Sequence, residues 1–154
     1  MKILTTINSY AKKVSDIVPE WLVALTIRAS LFFVFWKSVQ TKISGFSIGD
    51  QNFAFWGVTD TTIAIFEYEY DLPLLPPEIA AYLATFGEFF LSIGLLLGFM
   101  TRLSALGLLL MTMVIQIFVY WDAWPIHILW AGGLLYLLKN GPSKISVDSI
   151  LRQA

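Results

Sequence analysis

Glu88 lies near the centre of a long apolar run: nine uncharged residues precede it, Ile79 to Gly87, and thirteen follow, Phe89 to Thr101. A carboxylate at the middle of a membrane helix costs on the order of 3 kcal/mol on insertion scales unless it is paired, protonated or wetted. Few groups in the chain can compensate it. Arg28 lies within the first long apolar segment, and Lys37 and Lys42 stand toward that segment's far end. A guanidinium binds a carboxylate through two parallel N–H···O bonds, so Arg28 is the first candidate partner and Lys37 the alternative. Thr85 and Ser92 share a helix stripe with Glu88 and add hydrogen-bonding capacity. An ion pair that only fixes helix register is the plain alternative to a chemical role.

Gln116 and His127 fall at a depth similar to that of Glu88 but on different apolar segments, and polar groups converging inside a membrane mark a functional cavity. Glu88, Gln116 and His127 could bond the two carbonyls of a quinone in an apolar slot, and a carboxyl or imidazole can exchange protons there. Trp36, Tyr120, Trp121 and Trp124 would rim such a cavity. Each residue also has a plainer reading: Gln116 as a bond between helices, His127 as a satisfied polar cap, and Trp121 and Trp124 as interface belt. Arg28, Phe35 and Lys42 follow a seven-residue spacing and share a face, which puts Lys42 at the outer mouth, where snorkelling is the simple alternative. The candidate binding residues are therefore Arg28, Lys42, Glu88, Gln116, His127, Trp36 and Trp124, and none is assigned a catalytic role. With no Cys and a single His, the chain by itself offers no disulfide, iron–sulfur ligation, bis-His haem or His-cluster zinc site. Met111 and Met113 point to different sides of a helix and make no copper site with His127. Any redox chemistry must come from a bound molecule or a partner.

The elements that would hold these residues follow from composition and period. With 154 residues, 57% hydrophobic and only 14% charged, the chain reads as one small membrane domain. The net charge of −1 gives no reason to expect nucleic acid. The expected fold is all-α: a membrane-embedded four-helix bundle preceded by an amphipathic interfacial helix over 1–18. That first helix places Ile3, Leu4, Ile7, Ala11, Val14, Ile17 and Val18 at helical spacing among Lys2, Lys12, Lys13 and Asp16. Pro19 is a natural first-turn residue of the next helix. The transmembrane domain covers 19–140, with spans near 20–43, 77–100, 102–121 and 124–138. Leu103 to Trp121 is nineteen residues without a charge, enough to cross a ~30 Å hydrocarbon layer. Gly87, Gly94 and Gly98 mark close helix packing. Segment 44–76 is too often charged to span and forms an outer cap, with an amphipathic helix between Asp60 and Tyr70 ended by Pro73, Pro76 and Pro77. A polar tail occupies 141–154.

Charge orients the bundle. Lys2, Lys12, Lys13, Arg102, Lys139, Lys144 and Arg152 collect at one end against Asp16, Glu20 and Asp148, whereas Asp50, Asp60, Glu67, Glu69, Asp71, Glu78 and Asp122 collect at the other against Lys37 and Lys42. By the positive-inside rule both termini face the cytoplasm, and the acidic cap with the YWDAWP turn faces outward.

These residues also resemble a known family. Arg28 followed by Trp36, Ser38 and Lys42, then EYDLPLLPP from Glu69, the AAYLATFGEFFLSIGLLLGFMTRLSAL and MTMVIQIFVYWDAWPIHILWA segments, and the KNGPSKISVD tail are together similar to the DoxX family, over about Arg28 to Leu151. Val39 stands where the family usually has Gly. The resemblance implies a four-helix inner-membrane protein with Arg28, Lys42 and Glu88 as recurring polar positions, and a role as accessory subunit of a membrane redox system that meets quinone. The alternatives are a non-enzymatic module or permease component linked to metal or stress handling, and a bundle binding a hydrophobic ligand or lipid. Expected partners are the bilayer, a membrane or soluble redox subunit, and a second copy of the chain in a homo-oligomer.

Overall fold

The computed structural model describes residues 2–152, with side chains from Thr5 to Arg152. The side chains of Lys2, Ile3 and Leu4, assigned above to the first helix, and the last two residues of the tail lie outside the described residues. The protein is all-α apart from a two-residue hairpin, Ser47–Ile48 against Gln51–Asn52. The helices are α1 (Lys2–Ile17), α2 (Glu20–Gln40), α3 (Asp60–Ile65), α4 (Pro77–Leu97), α5 (Thr101–Phe118), α6 (Trp124–Asn140) and α7 (Val147–Leu151). A π-helical turn, Phe66–Tyr70, continues α3.

Three of these helices, α2, α4 and α5, are long and apolar enough to cross a membrane. Helix α6 has 17 residues and carries Pro125 in its first turn, where a missing N–H costs nothing. Pro77 opens α4 in the same way, whereas Pro19 is the extended residue just before α2, one place earlier than the first-turn position expected for it. The helices stop sooner than hydropathy suggests wherever the backbone turns. Helix α4 ends at Leu97 because Gly98 adopts φ +67°, a left-handed conformation open to glycine, and its N–H bonds the Gly94 and Leu95 carbonyls. Helix α5 ends at Phe118, so Tyr120 and Trp121 lie beyond the helix.

Helix α2 packs on α4 and α6, α4 on α5, and α5 on α6. Chain neighbours among the four run antiparallel, since Arg28 meets Leu95 whereas Ser38 meets Glu88. The α4–α5 contact is close because of glycines. A Cβ on Gly94 would come within 2.6 Å of Ser104 Oγ, one on Gly107 within 2.6 Å of Leu91 Cδ1, and one on Gly87 within 2.7 Å of Met111 Cε. Gly87 and Gly94 therefore pack as expected, and Gly98 serves instead as the helix cap. One core, at the end nearer the tail, joins Leu31, Phe35, Leu95, Leu108, Leu134 and Leu137. A second, of Trp36, Val39, Ile43 and Phe89, is plugged by Phe53 and Phe55 from the segment after α2. A third seats Phe66 against Ala80 and Ala81, fixing α3 and its π turn across the start of α4. Helix α1 is exposed along its length from Thr5.

Candidate functional site

Glu88 is 2% exposed, and its partner is Lys42 rather than Arg28 or Lys37. Lys42 Nζ stands 2.6 Å from Glu88 Oε2 and 2.7 Å from Ser38 Oγ, and Ser38 Oγ donates in turn to Glu88 Oε1 at 3.3 Å. Three groups thus satisfy one another in a closed corner, which a buried charge requires. Lys37 stays exposed. Thr85 and Ser92, expected to support Glu88, instead bond back along their own helix to the Ala81 and Phe89 carbonyls.

The Arg28–Glu88 pair fails for a directional reason. Side chains on a helix lean toward its N-terminus. On α2 that is the end near the tail, and on antiparallel α4 it is the end near the cap. Arg28 and Glu88 therefore lean apart. Lys42 also lies past the end of α2 at Gln40, so the seven-residue face did not govern its placement.

Arg28, also 2% exposed, binds main-chain oxygens. Its Nε donates to Leu95 O at 2.6 Å, Nη2 to Leu96 O, and Nη1 to Ile145 O at 2.6 Å and Pro142 O at 3.3 Å. Carbonyls at a helix C-terminus lack intrahelical partners and carry partial negative charge, so a guanidinium suits them. Arg28 thereby ties the end of α4 to the tail. Asp148 completes the tie from the other side: Oδ1 accepts from Met100 N–H at 2.8 Å, and Oδ2 from Thr101 N–H and Oγ1 at 3.0 Å each. Burial alone raises the Asp148 carboxyl, but these donors outweigh it and hold the group below its ordinary value. Arg28 is thus a structural residue of the tail junction, away from the Glu88 corner.

The Lys42–Ser38–Glu88 corner opens on a cavity of about 410 Å³. Phe35, Leu83, Ala84, Leu110, Met111, Val114 and Trp130 supply apolar walls, and Tyr70, Tyr120 and His127 supply polar edges. Leu83 of α4 and Leu110 of α5 line it yet are 58% and 54% exposed. The cavity therefore opens sideways, between α4 and α5, onto the apolar outer surface of the helices. Tyr120, released from α5, donates to Glu69 at 2.7 Å and meets the Tyr70 ring edge-on, closing the cap side. Burial pushes the Tyr70 phenol up, so it stays a donor at neutral pH.

His127 has a defined orientation. Gln116 Nε2 donates to Trp121 O at 2.7 Å, which turns Gln116 Oε1 toward His127 Nδ1 at 2.8 Å. Nδ1 must then carry the proton, and in the neutral ring Nε2 holds a lone pair. Gln116 and Trp124 themselves face a separate groove of about 330 Å³ between α5 and α6, and His127 lines both spaces. Met111 lines the cavity and Met113 the groove, the opposite sides that their spacing predicts.

The single outward cavity expected to unite Glu88, Gln116 and His127 is therefore divided. Lys42, Glu88 and His127 share one space, whereas Gln116 acts behind His127. Trp36 lines neither: it stacks on Phe32, tilts against Phe53 and Phe89, and donates to Gln51 at 2.6 Å. Trp124 is 59% exposed at the outer edge of the groove. Ser38, Tyr70 and Trp130 were missed. Ser38 was signalled by its place four residues before Lys42, whereas the positions of Tyr70 and Trp130 depend on how the cap folds over α4 and how α6 turns.

Long apolar helices around a cavity with an ion pair in its wall fit a helical membrane protein. Its sequence carries the same message: a model of the DoxX family matches residues 23–121, and the chain belongs to that family. The match stops short of the tail that Arg28 and Asp148 fasten to the helices. No curated protein and no solved structure matches the chain.

Proposed function

We propose that this DoxX protein binds a lipid-soluble ligand of the quinone class in the cavity beside Lys42 and Glu88, as an accessory subunit of a membrane redox system. In this reading α2, α4, α5 and α6 form a four-helix bundle across the cell's inner membrane. Helix α1 lies on the surface as an amphipathic helix, and both termini are cytoplasmic, as the charge distribution favours. Aromatic residues at its ends let the short α6 suffice as a span.

One observation carries the proposal: an apolar cavity open toward the lipid-facing side of α4 and α5 ends in a corner holding both a cation and a carboxylate. A ligand entering from the bilayer needs no aqueous route. Quinone carbonyls accept hydrogen bonds, and Lys42 Nζ keeps a third N–H beyond those it gives to Ser38 and Glu88. Hydroxyls of the reduced form donate, and Glu88 and His127 Nε2 accept. The residues present therefore fit either form of such a ligand. A quinone supplies the electron chemistry that this chain's side chains do not, while the protein contributes an apolar slot, orientation and proton-bearing groups.

The self-satisfied Lys42–Ser38–Glu88 corner favours a second reading, a non-catalytic module that holds an apolar ligand or lipid. Mass spectrometry of the protein purified in mild detergent separates the two. A co-extracted quinone supports the first reading, and lipid alone supports the second.

A further inference from the structure

The tail junction carries a second recognition surface, distinct from the cavity. Segment 141–152 folds back over the α4–α5 turn, held there by Arg28, by Asp148 and by the Asp148 N–H on Gly98 O at 2.9 Å. Between tail and turn lies a cleft of about 380 Å³ whose walls include Met100, Arg102, Leu103, Asp148, Leu151 and Arg152. Arg102 spends one N–H on Lys139 O at 3.3 Å, and the side chain of Arg152 donates to no described residue. Asp148 is the acid of the cleft; both its oxygens accept from the Met100–Thr101 turn, and its charge also attracts Arg152 without a hydrogen bond between them. Two guanidiniums are left facing one concavity with donors to spare.

The apolar part of the cleft is continuous with a longer track. Leu103 and Leu151 are more than half exposed, and Leu103 continues along α5 into exposed Leu106 and Leu110, spaced three and four residues apart on one face. Cationic donors at a helix end, with an exposed apolar stripe running from them along a span, match an anionic head group joined to acyl chains. Lys139 and Lys144 add positive charge at the same end. Zwitterionic lipids offer the same phosphate but bring an ammonium that these cations repel.

We infer that the cleft formed by the tail and the start of α5 binds an anionic phospholipid, its phosphate beneath Arg102 and Arg152 and its chains along Leu103 and Leu106. The tail fastened by Arg28 then serves as one wall of a lipid site. Occupancy of this site would tie the inner end of the helices to the charged leaflet, whatever ligand the cavity takes.

Native mass spectrometry of the purified full chain tests this, titrating detergent-solubilised protein with phosphatidylglycerol or phosphatidylcholine of equal chain length. The expected result is preferential retention of phosphatidylglycerol, on the order of tenfold, falling toward parity in R102Q/R152Q and in part in either single variant. R152K should keep most of the preference. Equal retention of both lipids by the unaltered chain, or a preference that survives R102Q/R152Q, would overturn the inference. Displacement of phosphatidylglycerol by millimolar inorganic phosphate would overturn the lipid as the source of the phosphate. Should R102Q lower stability, R152Q decides alone, because the Arg152 side chain donates no hydrogen bond to a described residue.

Discussion

Lys42 Nζ and Glu88 Oε2 stand 2.6 Å apart although they lie 46 positions apart in the chain, and Ser38 Oγ accepts from the same Nζ and donates to Glu88 Oε1. The pair answers how a carboxylate is held inside an apolar helix: it is neutralised by a lysine that reaches back from beyond the end of α2. It also puts a buried ion pair at the wall of the cavity.

Breaking the pair from one side should cost more than removing it. Glu88→Gln or Lys42→Met alone should lose on the order of 3–5 kcal/mol of stability, and the double variant less than either single loss would lead one to expect. Thermal unfolding in detergent, arranged as a double-mutant cycle, measures the coupling. A parallel cycle of Arg28→Met with Glu88→Gln should be additive, because the hydrogen bonds of Arg28 go to main-chain oxygens at the tail junction and none reaches Glu88. Coupling in the second cycle and none in the first would contradict the assigned partners.

Loss of Arg28 should free the tail first. Arg28→Met takes the side-chain donor from the Leu95, Leu96 and Ile145 carbonyls, of which Leu95 keeps the Gly98 N–H, at about 1–3 kcal/mol for each group left buried and unsatisfied. Limited trypsin digestion should cut after Lys144 faster than in the parent protein while the helical content holds. Arg28→Lys should rescue little, since a single ammonium cannot reach the end of α4 and the tail together. An unchanged cleavage rate in Arg28→Met would show that the tail is fastened elsewhere.

Acid should loosen the same junction. The Asp148 carboxyl is held below its ordinary value, 3.8, so on acidification the unfolded chain takes up the proton before the folded one. Its contribution is thus complete above 3.8 and is lost as pH falls through the lower folded-state value. In unfolding temperatures measured from neutral pH downward, Asp148→Asn should be less stable near neutrality and show a shallower acid limb than the parent. Parallel curves would mean that Asp148 does not cap α5.

Much of this architecture was legible before any coordinate. Uncharged stretches around Glu88 and from Leu103 gave the apolar helices, and Gly87 and Gly94 gave the close α4–α5 contact. Lys42, Glu88 and His127 were singled out by charge and depth, and they do share a cavity. The error over Arg28 came from ranking partners by chemistry and height alone. The lean of side chains toward each helix N-terminus, which was available from the sequence, sends Arg28 toward the tail and away from Glu88, while Lys42 reaches Glu88 from the turn beyond α2. Other features were beyond reach. Tyr120 follows the i+4 spacing of Thr112 and Gln116, but α5 stops at Phe118, so Tyr120 turns into the cavity while Gln116 faces the opposite groove. The recruitment of Asp148 to the Met100–Thr101 turn depends on a long-range fold of the tail that no local pattern encodes.

The central claim, that the cavity beside Lys42 and Glu88 admits a quinone-type ligand from the bilayer, is tested most directly by tryptophan quenching with a decyl-substituted benzoquinone. Trp130 lines the cavity, and Ala84 stands in its wall where a larger side chain would fill the space. Saturable quenching is predicted for the parent protein. Trp130→Phe should remove the saturable component, and Ala84→Phe should weaken binding by roughly tenfold or more while the protein stays folded. Quenching that rises with quinone without saturating, and is the same in Ala84→Phe, would contradict the account.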